Sequence, residues 1–253
     1  VLIEMGNFYF NIKDYQTSKK YYNLAHQVFK KIANPYGEAL VCTNFALIYK
    51  SVANYDSAVY FFTNSLSIRC NIGDSMGCLA TYYHLIGKYS KLKQFDKTFL
   101  YANNAKNIVK QVKPTPDILY LYDFFDNIYA ATLGDVKKFD QGRRILDSLL
   151  KLPNIEENFY RFGEIVLTYG NLEKKAGNYK LAEKYFQYYI DFIKERTNAF
   201  PQLKTGYQLL YVINLLKGDS LHAFKNKLIE RDYSDSIEEG LKLKFNLEAQ
   251  NLF

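Results

Sequence analysis

Tyr169 to Tyr189 reads YGNLEKKAGNYKLAEKYFQYY, two helical patterns hinged on Gly177-Asn178. Glycine and asparagine both tolerate a positive φ, which a chain needs to leave one helix and enter another. Gly170 marks a bare spot on the first helix. Ala182 and Phe186 follow four residues apart on one face of the second, a notch beside a knob. The stretch is predicted to be a helical hairpin whose small residues let two backbones approach while aromatic rings fill the space alongside. One hairpin cannot bury its own apolar face, so the pattern calls for copies.

Copies run through the chain. NFYFNIKDYQTSKKYYNLA carries Tyr9, Tyr15, Ser18, Tyr22 and Ala25, and NFALIYKSVANYDSAVYFFTNS carries Tyr49, Tyr55, Ala58, Phe62 and Ser65. HLIGKYSKLKQFDKTFLYANNA carries Tyr89, Phe95, Thr98, Ala102 and Ala105, so the leading tyrosines stand at 9, 49 and 89, a period of 40. The opening stretch is the fifth copy, with Glu173 in place of the leading tyrosine. A fourth, with Tyr129, Phe139, Gly142, Leu146 and Leu149, needs about four extra residues around a longer turn at Gly134-Asp135. A sixth carries Gly218, Ala223 and Lys227.

These residues resemble the tetratricopeptide repeat, and the resemblance covers nearly the whole chain. That motif sets a large residue, a small one and a tyrosine on its first helix, then a turn, alanine, an aromatic and alanine on its second. Gly6, Ala46 and Gly170 take the small slot of the first helix; Ala58, Ala182 and Ala223 take that of the second. The chain has no Trp, and Tyr82, Tyr122 and Tyr207 stand where the family often has one. The resemblance implies an all-α fold, a right-handed α-α superhelix of about six helical hairpins plus a C-terminal helix. The repeats are expected at about 1–34, 35–73, 74–113, 114–152, 153–198 and 199–230, with 231–253 a capping or connector helix.

Punctuation agrees with this phase. Pro35, Pro114, Pro116, Pro153 and Pro201 all fall between hairpins, where a residue that breaks helices does no harm. Asp74, Asn154 and Asn198 are candidate N-caps of first helices, and a longer connection is expected at Asn198–Gln202. After Glu230 a polar turn is expected, with Ser234 or Asp235 capping a helix from about Ser236. Ile237, Leu241, Phe245 and Leu252 would line one face of that helix. It reads as a cap over the apolar end of the stack. DYSDSIEEGLK also resembles the junction in bacterial regulators where a tetratricopeptide array precedes a membrane span and then a histidine-kinase or DNA-binding part.

Composition narrows the function. A net charge of +7 invites a nucleic-acid reading, but lysines and arginines alternate with acids along the helices. The densest group, Lys88, Lys91, Lys93 and Lys97, is no stripe of the kind a duplex requires, so no direct nucleic-acid binding is expected. No apolar run is long enough to span a membrane within this segment, although a span beyond its C-terminus is compatible with the junction. Cys42, Cys70 and Cys78 show no metal or disulfide spacing, and His26, His84 and His222 stand without a second ligand one helical turn away. No phosphate loop, nucleophile elbow or zinc-protease motif occurs, so neither enzymatic activity, cofactor nor metal is expected. With Val1 inside a helical pattern, the sequence reads as an internal piece of a longer protein, cytoplasmic or periplasmic.

What the resemblance implies is a protein- or peptide-binding module whose first helices line the concave surface. Counting from the repeat phase, the inward positions include Asn7, Asn11, Thr43, Lys50, Tyr83, Asp123, Asn127, Asn171, Lys174 and Gln208. Asn7, Asn127 and Asn171 are expected at one repeat position, interrupted by Leu47 and Gly87. An asparagine carboxamide both donates to and accepts from an extended backbone without demanding a side-chain sequence. Three uses follow: the sensory or scaffold part of a larger bacterial signalling or transcription regulator, a regulator controlled by a short signalling peptide, or a surface glycan-binding protein. The last lacks the tryptophan-rich loops such proteins carry. The repeat phase also fixes a stability outcome. Ala58→Phe and Ala182→Phe should each overpack a helix crossing and cost about 1–3 kcal/mol or more in thermal or urea unfolding, and unchanged stability in both would mean the close contacts lie elsewhere.

Overall fold

The computed structural model describes residues 1–113, 115–195 and 199–250, the side chains of Asp117 and of 241–250 excepted. Regular structure among the described residues is helical throughout. The first helices of successive hairpins are α1 (Leu2–Asn11), α3 (Pro35–Ser51), α5 (Ser75–Lys91), α7 (Pro116–Asp135), α9 (Phe159–Lys175) and α11 (Phe200–Leu216). The second helices are α2 (Tyr15–Lys31), α4 (Tyr55–Asn71), α6 (Phe95–Val109), α8 (Phe139–Leu150), α10 (Tyr179–Lys194) and α12 (Ser220–Gln250). The expected all-α, tetratricopeptide-type helical repeat is the fold.

The chain divides into two compact units, Val1–Ile128 and Tyr129–Phe253. In the first, successive helices from α1 to α6 pack on one another; in the second, those from α8 to α12 do the same. Within both, the hairpins nest at their small residues. A methyl group at Gly6 would sit inside the Tyr22 ring, one at Gly170 inside the Phe186 ring, and one at Gly206 against Ile190. Ser18 shows how close the backbones come: its hydroxyl donates across the hairpin to the Gly6 carbonyl at 2.8 Å. Tyr22 and Phe186 are buried, as are Ala46, Ala58 and Ala182. Full burial of a ring of this size is worth about 1.5–3 kcal/mol. The core of the first unit is built on Tyr22, Val41, Phe45 and Ile48, and that of the second on Leu146, Phe162, Leu172, Phe186 and Ile190.

The turns recur with the same chemistry. Lys13, Ala53, Lys93, Lys137, Gly177 and Gly218 each hold a positive φ between 56° and 82° and each separates a first helix from its second. The next residue then closes a six-residue ring back onto the helix it leaves, as in Asn54 N to Tyr49 O and Asn178 N to Glu173 O, both 2.9 Å. The same residue starts the following helix. Asp14 accepts from Thr17 N at 3.0 Å, Asn54 from Ser57 N at 3.2 Å and Asp219 from His222 N at 3.1 Å. One left-handed residue followed by one capping residue therefore reverses the chain, and four of the six positions endure it without glycine.

Three local expectations are corrected. The fourth hairpin's turn is no longer than the others: Gly134 and Asp135 are the last residues of α7, and Lys137 takes the usual left-handed place. The extra residues precede it, making α7 a 20-residue helix where most first helices have 17. Asn154 does not cap α9 but sits at φ 56° before a short 3₁₀ turn; Asn158 is the cap, accepting from Arg161 N at 3.1 Å. No polar break follows Glu230, because α12 continues unbroken for 31 residues. Its residues 231–240 extend the second helix of the last hairpin, where Tyr233 stacks on Tyr207. Asn198 and Leu252 lie outside the described residues, as do Pro114 and the side chains of Leu241 and Phe245. Pro35, Pro116 and Pro201 open first helices, where a missing N–H costs nothing.

Glu173, the residue that breaks the tyrosine pattern, is fully buried and meets Arg143 through two bonds of 2.6 and 2.9 Å, with Asn178 Nδ2 donating at 2.7 Å. Burial alone would raise its pKa, but the Arg143 and Asn178 bonds outweigh that and hold it below the ordinary carboxylate value. The stability this contributes is present above the unfolded carboxyl's pKa and is lost as pH falls through the folded one. Arg143→Leu should therefore lower stability in urea unfolding by about 2–4 kcal/mol, leaving a buried carboxylate without its cation. Adding Glu173→Tyr, the residue at this place in the first three hairpins, should restore most of it; equal loss in single and double variants would contradict this account.

Candidate functional site

The first helices carry the polar positions that the repeat phase singled out. In the first unit, α1 and α3 lie near enough for Asn44 Nδ2 to reach Asn7 Oδ1 at 3.5 Å, and the Tyr22 hydroxyl donates to the same oxygen at 2.7 Å. With its oxygen engaged in this way, Asn7 presents its amide N–H groups as donors. Asn7, Phe10, Asn11, Tyr22, Asn44 and Leu47 enclose an open pocket of about 220 Å³. Asn11 is exposed at its rim.

The remaining residues of the first unit divide. Thr43 is half-buried and engaged within its own hairpin, sharing a hydrogen bond of 2.8 Å with Ser65 Oγ and donating to Ala39 O. Lys50 is exposed. Tyr83 is half-buried with its ring 4.2 Å from that of Phe124 on α7, an aromatic step between neighbouring first helices. Asp123 and Asn127 are buried, and Asn127 Oδ1 has no hydrogen-bond partner among the described residues. Asn127 also does not share the position of Asn7 and Asn171. Counted back from the left-handed turn residue, it aligns with Thr43, Tyr83, Leu167 and Gln208, one helical turn earlier, and Ala131 takes the place of Asn7. The extra residues ahead of the turn, three of them in α7, mislead a count made forward from the preceding hairpin.

In the second unit, Asn171 is half-buried, its Nδ2 donating to the carbonyl of Leu167 at 2.9 Å, which turns Oδ1 outward as an acceptor. Lys174 is half-buried on the same face, its ammonium held below the ordinary pKa by burial and then by Lys175. Gln208 on α11 is exposed. Asn7 thus offers donors and Asn171 an acceptor, each fixed by an internal hydrogen bond.

Sequence reasoning missed Asn44 and His84, which occupy one repeat position on α3 and α5 and were signalled only by the period of 40. His84 stacks on Phe62 with ring centroids 4.7 Å apart, and its Nδ1 finds no hydrogen-bond partner among the described residues. Burial first, and the nearby Lys50 second, push its pKa down from 6.5 to about 4.

No protein-family model matches the sequence, and no curated protein is significantly similar to it. Solved structures are similar in fold. Aspartyl phosphate phosphatase F from Bacillus subtilis superposes with a TM-score of 0.70 at 19% identity, over 84% of this chain and 55% of that one. A Rap protein complexed with competence and sporulation factor gives 0.67 at 19% identity, over 83% and 57%. BtubC from P. vanneervenii gives 0.64 at 12% identity, over 86% and 88%. The likeness shows the fold. The chain spans little more than half the length of the first two.

His84 yields a pH-dependent outcome on this face. The unfolded chain takes up a proton near pH 6.5 that the folded one refuses until about pH 4. The native state is therefore fully favoured above 6.5 and loses about 2–3 kcal/mol between these values. His84→Phe should remove that segment of the stability–pH curve, and an unchanged acid limb would show that other groups set it.

Proposed function

We propose that this chain is a non-enzymatic binding module that holds an extended peptide segment against the polar face of its first helices, as the sensory or scaffold part of a larger signalling regulator. The observation that carries the reading is the half-used asparagine. Asn7 in the first unit and Asn171 in the second each spend one end of the carboxamide on an internal bond and turn the other outward, donor in one and acceptor in the other. An extended backbone presents both complements at every residue, so such groups recognise main chain without selecting a side-chain sequence. The pocket beside Asn7, walled by Phe10, Tyr22 and Leu47, supplies apolar contact for a side chain next to the held amide. A fold neighbour complexed with competence and sporulation factor supports the reading.

Within this reading Asn11, Lys50, Lys174 and Gln208 supply the solvated rim, and Tyr83 an aromatic surface. Thr43, Asp123 and Asn127 shape the wall behind it. A short signalling peptide is the form of ligand that suits this face best. A catalytic role like that of the phosphatase named among the fold neighbours has no side-chain constellation behind it among the described residues.

Peptides selected from a displayed random library against the intact chain provide the test. Asn7→Ala and Asn171→Ala should each weaken a selected peptide bound in its own unit by about 10-fold in fluorescence anisotropy, the loss of one or two hydrogen bonds. Circular dichroism should stay unchanged. Lys180→Ala, exposed on the second helix α10, should have no effect. Selected peptides indifferent to both asparagine variants would overturn the assignment.

A further inference from the structure

Cys70 and Cys78 are eight residues apart in sequence and on different helices, yet their sulfurs lie 2.7 Å from each other. Cys70 occupies the last turn of α4 and is exposed; Cys78 occupies the first turns of α5 and is buried. The reversal at Gly73, with φ 73°, and the capping Asp74 fold the end of one hairpin onto the start of the next. Arg69 locks the same corner: its Nε donates to Ser65 Oγ and its Nη1 pairs with Asp74 Oδ2. Two unbonded sulfurs normally stand well beyond 3 Å, and a bonded pair at about 2.05 Å. The thiols are therefore held nearer to a bond than to an ordinary contact, by a corner that exists for other reasons.

We infer that Cys70 and Cys78 form a reversible disulfide, a redox modification site that clips the second hairpin to the third. The division of labour follows from exposure. Cys70 meets the oxidant, a small-molecule disulfide: its thiolate attacks one sulfur, forms a mixed disulfide and releases one small thiol. Cys78 then loses its proton to solvent and attacks the Cys70 sulfur, forming the internal S–S bond and releasing the second small thiol. Two protein S–H bonds are lost and one S–S bond formed, and the two electrons reduce the oxidant's S–S bond to two thiols. Burial, with the neighbouring Cys70 adding to it, holds the Cys78 thiol up at about 12. Cys78 thus stays protonated and unreactive until its partner is activated.

Intact protein incubated with excess oxidised glutathione and cleared of reagent tests this. Accessible and buried thiols together, titrated in denaturant, should fall from three to one. Peptide mapping should find Cys70 joined to Cys78 with Cys42 still free. Hydrogen exchange through residues 71–77 should slow, and a reductant should restore both the titre and the exchange rate. Cys70→Ser, a change at an exposed position, should leave Cys78 unmodified under the same oxidant. An unchanged titre of three, a glutathione adduct that stays on Cys70 while Cys78 still titrates, or disulfide-linked dimers through Cys70 would each overturn the inference.

Discussion

The approach of two antiparallel helices at a bare backbone is the constraint on which the rest of this molecule depends. Where Tyr22 covers Gly6 and Phe186 covers Gly170, the ring occupies the volume a side chain on the facing helix would have claimed. Once the ring is seated there, the hairpin has one crossing distance and one register. The next helix must then cover the remaining apolar edge. Gly206 against Ile190 shows the same device working between hairpins rather than within one. Repetition follows from each unit's inability to bury its own far side.

The turns are subordinate to that contact. Lys13, Ala53, Lys93 and Lys137 adopt the left-handed conformation that glycine adopts at Gly177 and Gly218. Each non-glycine residue there costs about 1 kcal/mol of backbone strain, and packing on either side exceeds it. This is why the repeat survives where its turn residue is wrong for a turn, and why aromatic and small residues were the better guide to phase. The hairpins, their period and the buried alanines were legible in the sequence because each rests on a few residues at fixed spacing. The fourth hairpin misled because residues added inside a helix leave no local mark; the left-handed Lys137 and the contact of Gly142 with Ala130 and Leu133 reveal which residues are equivalent.

Other misreadings have the same physical origin. Arg231 to Asp235 looks like a turn by composition, but polar residues on a solvated helix face are equally comfortable, and Tyr233 packed on Tyr207 holds the helix through them. Cys70 and Cys78 could not be paired from spacing, since eight residues within one helix would point them apart along its axis. The left-handed reversal at Gly73 brings them together. The candidate binding face was legible as a set of positions but not as a set of orientations. Thr43 is turned aside by Ser65, a buried hydroxyl on the partner helix with which it shares a hydrogen bond.

That last distinction bears on what the first-helix face can do. A polar side chain on a solvated wall is ordinarily free to rotate, and fixing it on binding costs entropy comparable to the hydrogen bond it gains. Asn7 and Asn171 are already fixed, one by the Tyr22 hydroxyl and one by the Leu167 carbonyl. The fixing groups come from the repeat itself: Tyr22 is the ring seated on Gly6, and Leu167 lies one turn back on the helix that carries Gly170. The packing that builds each hairpin thus also aims an amide away from it, so that in the proposed reading recognition of a backbone needs little further ordering by the protein. In the peptide-binding reading proposed above, these positions are where binding free energy has the least to offset.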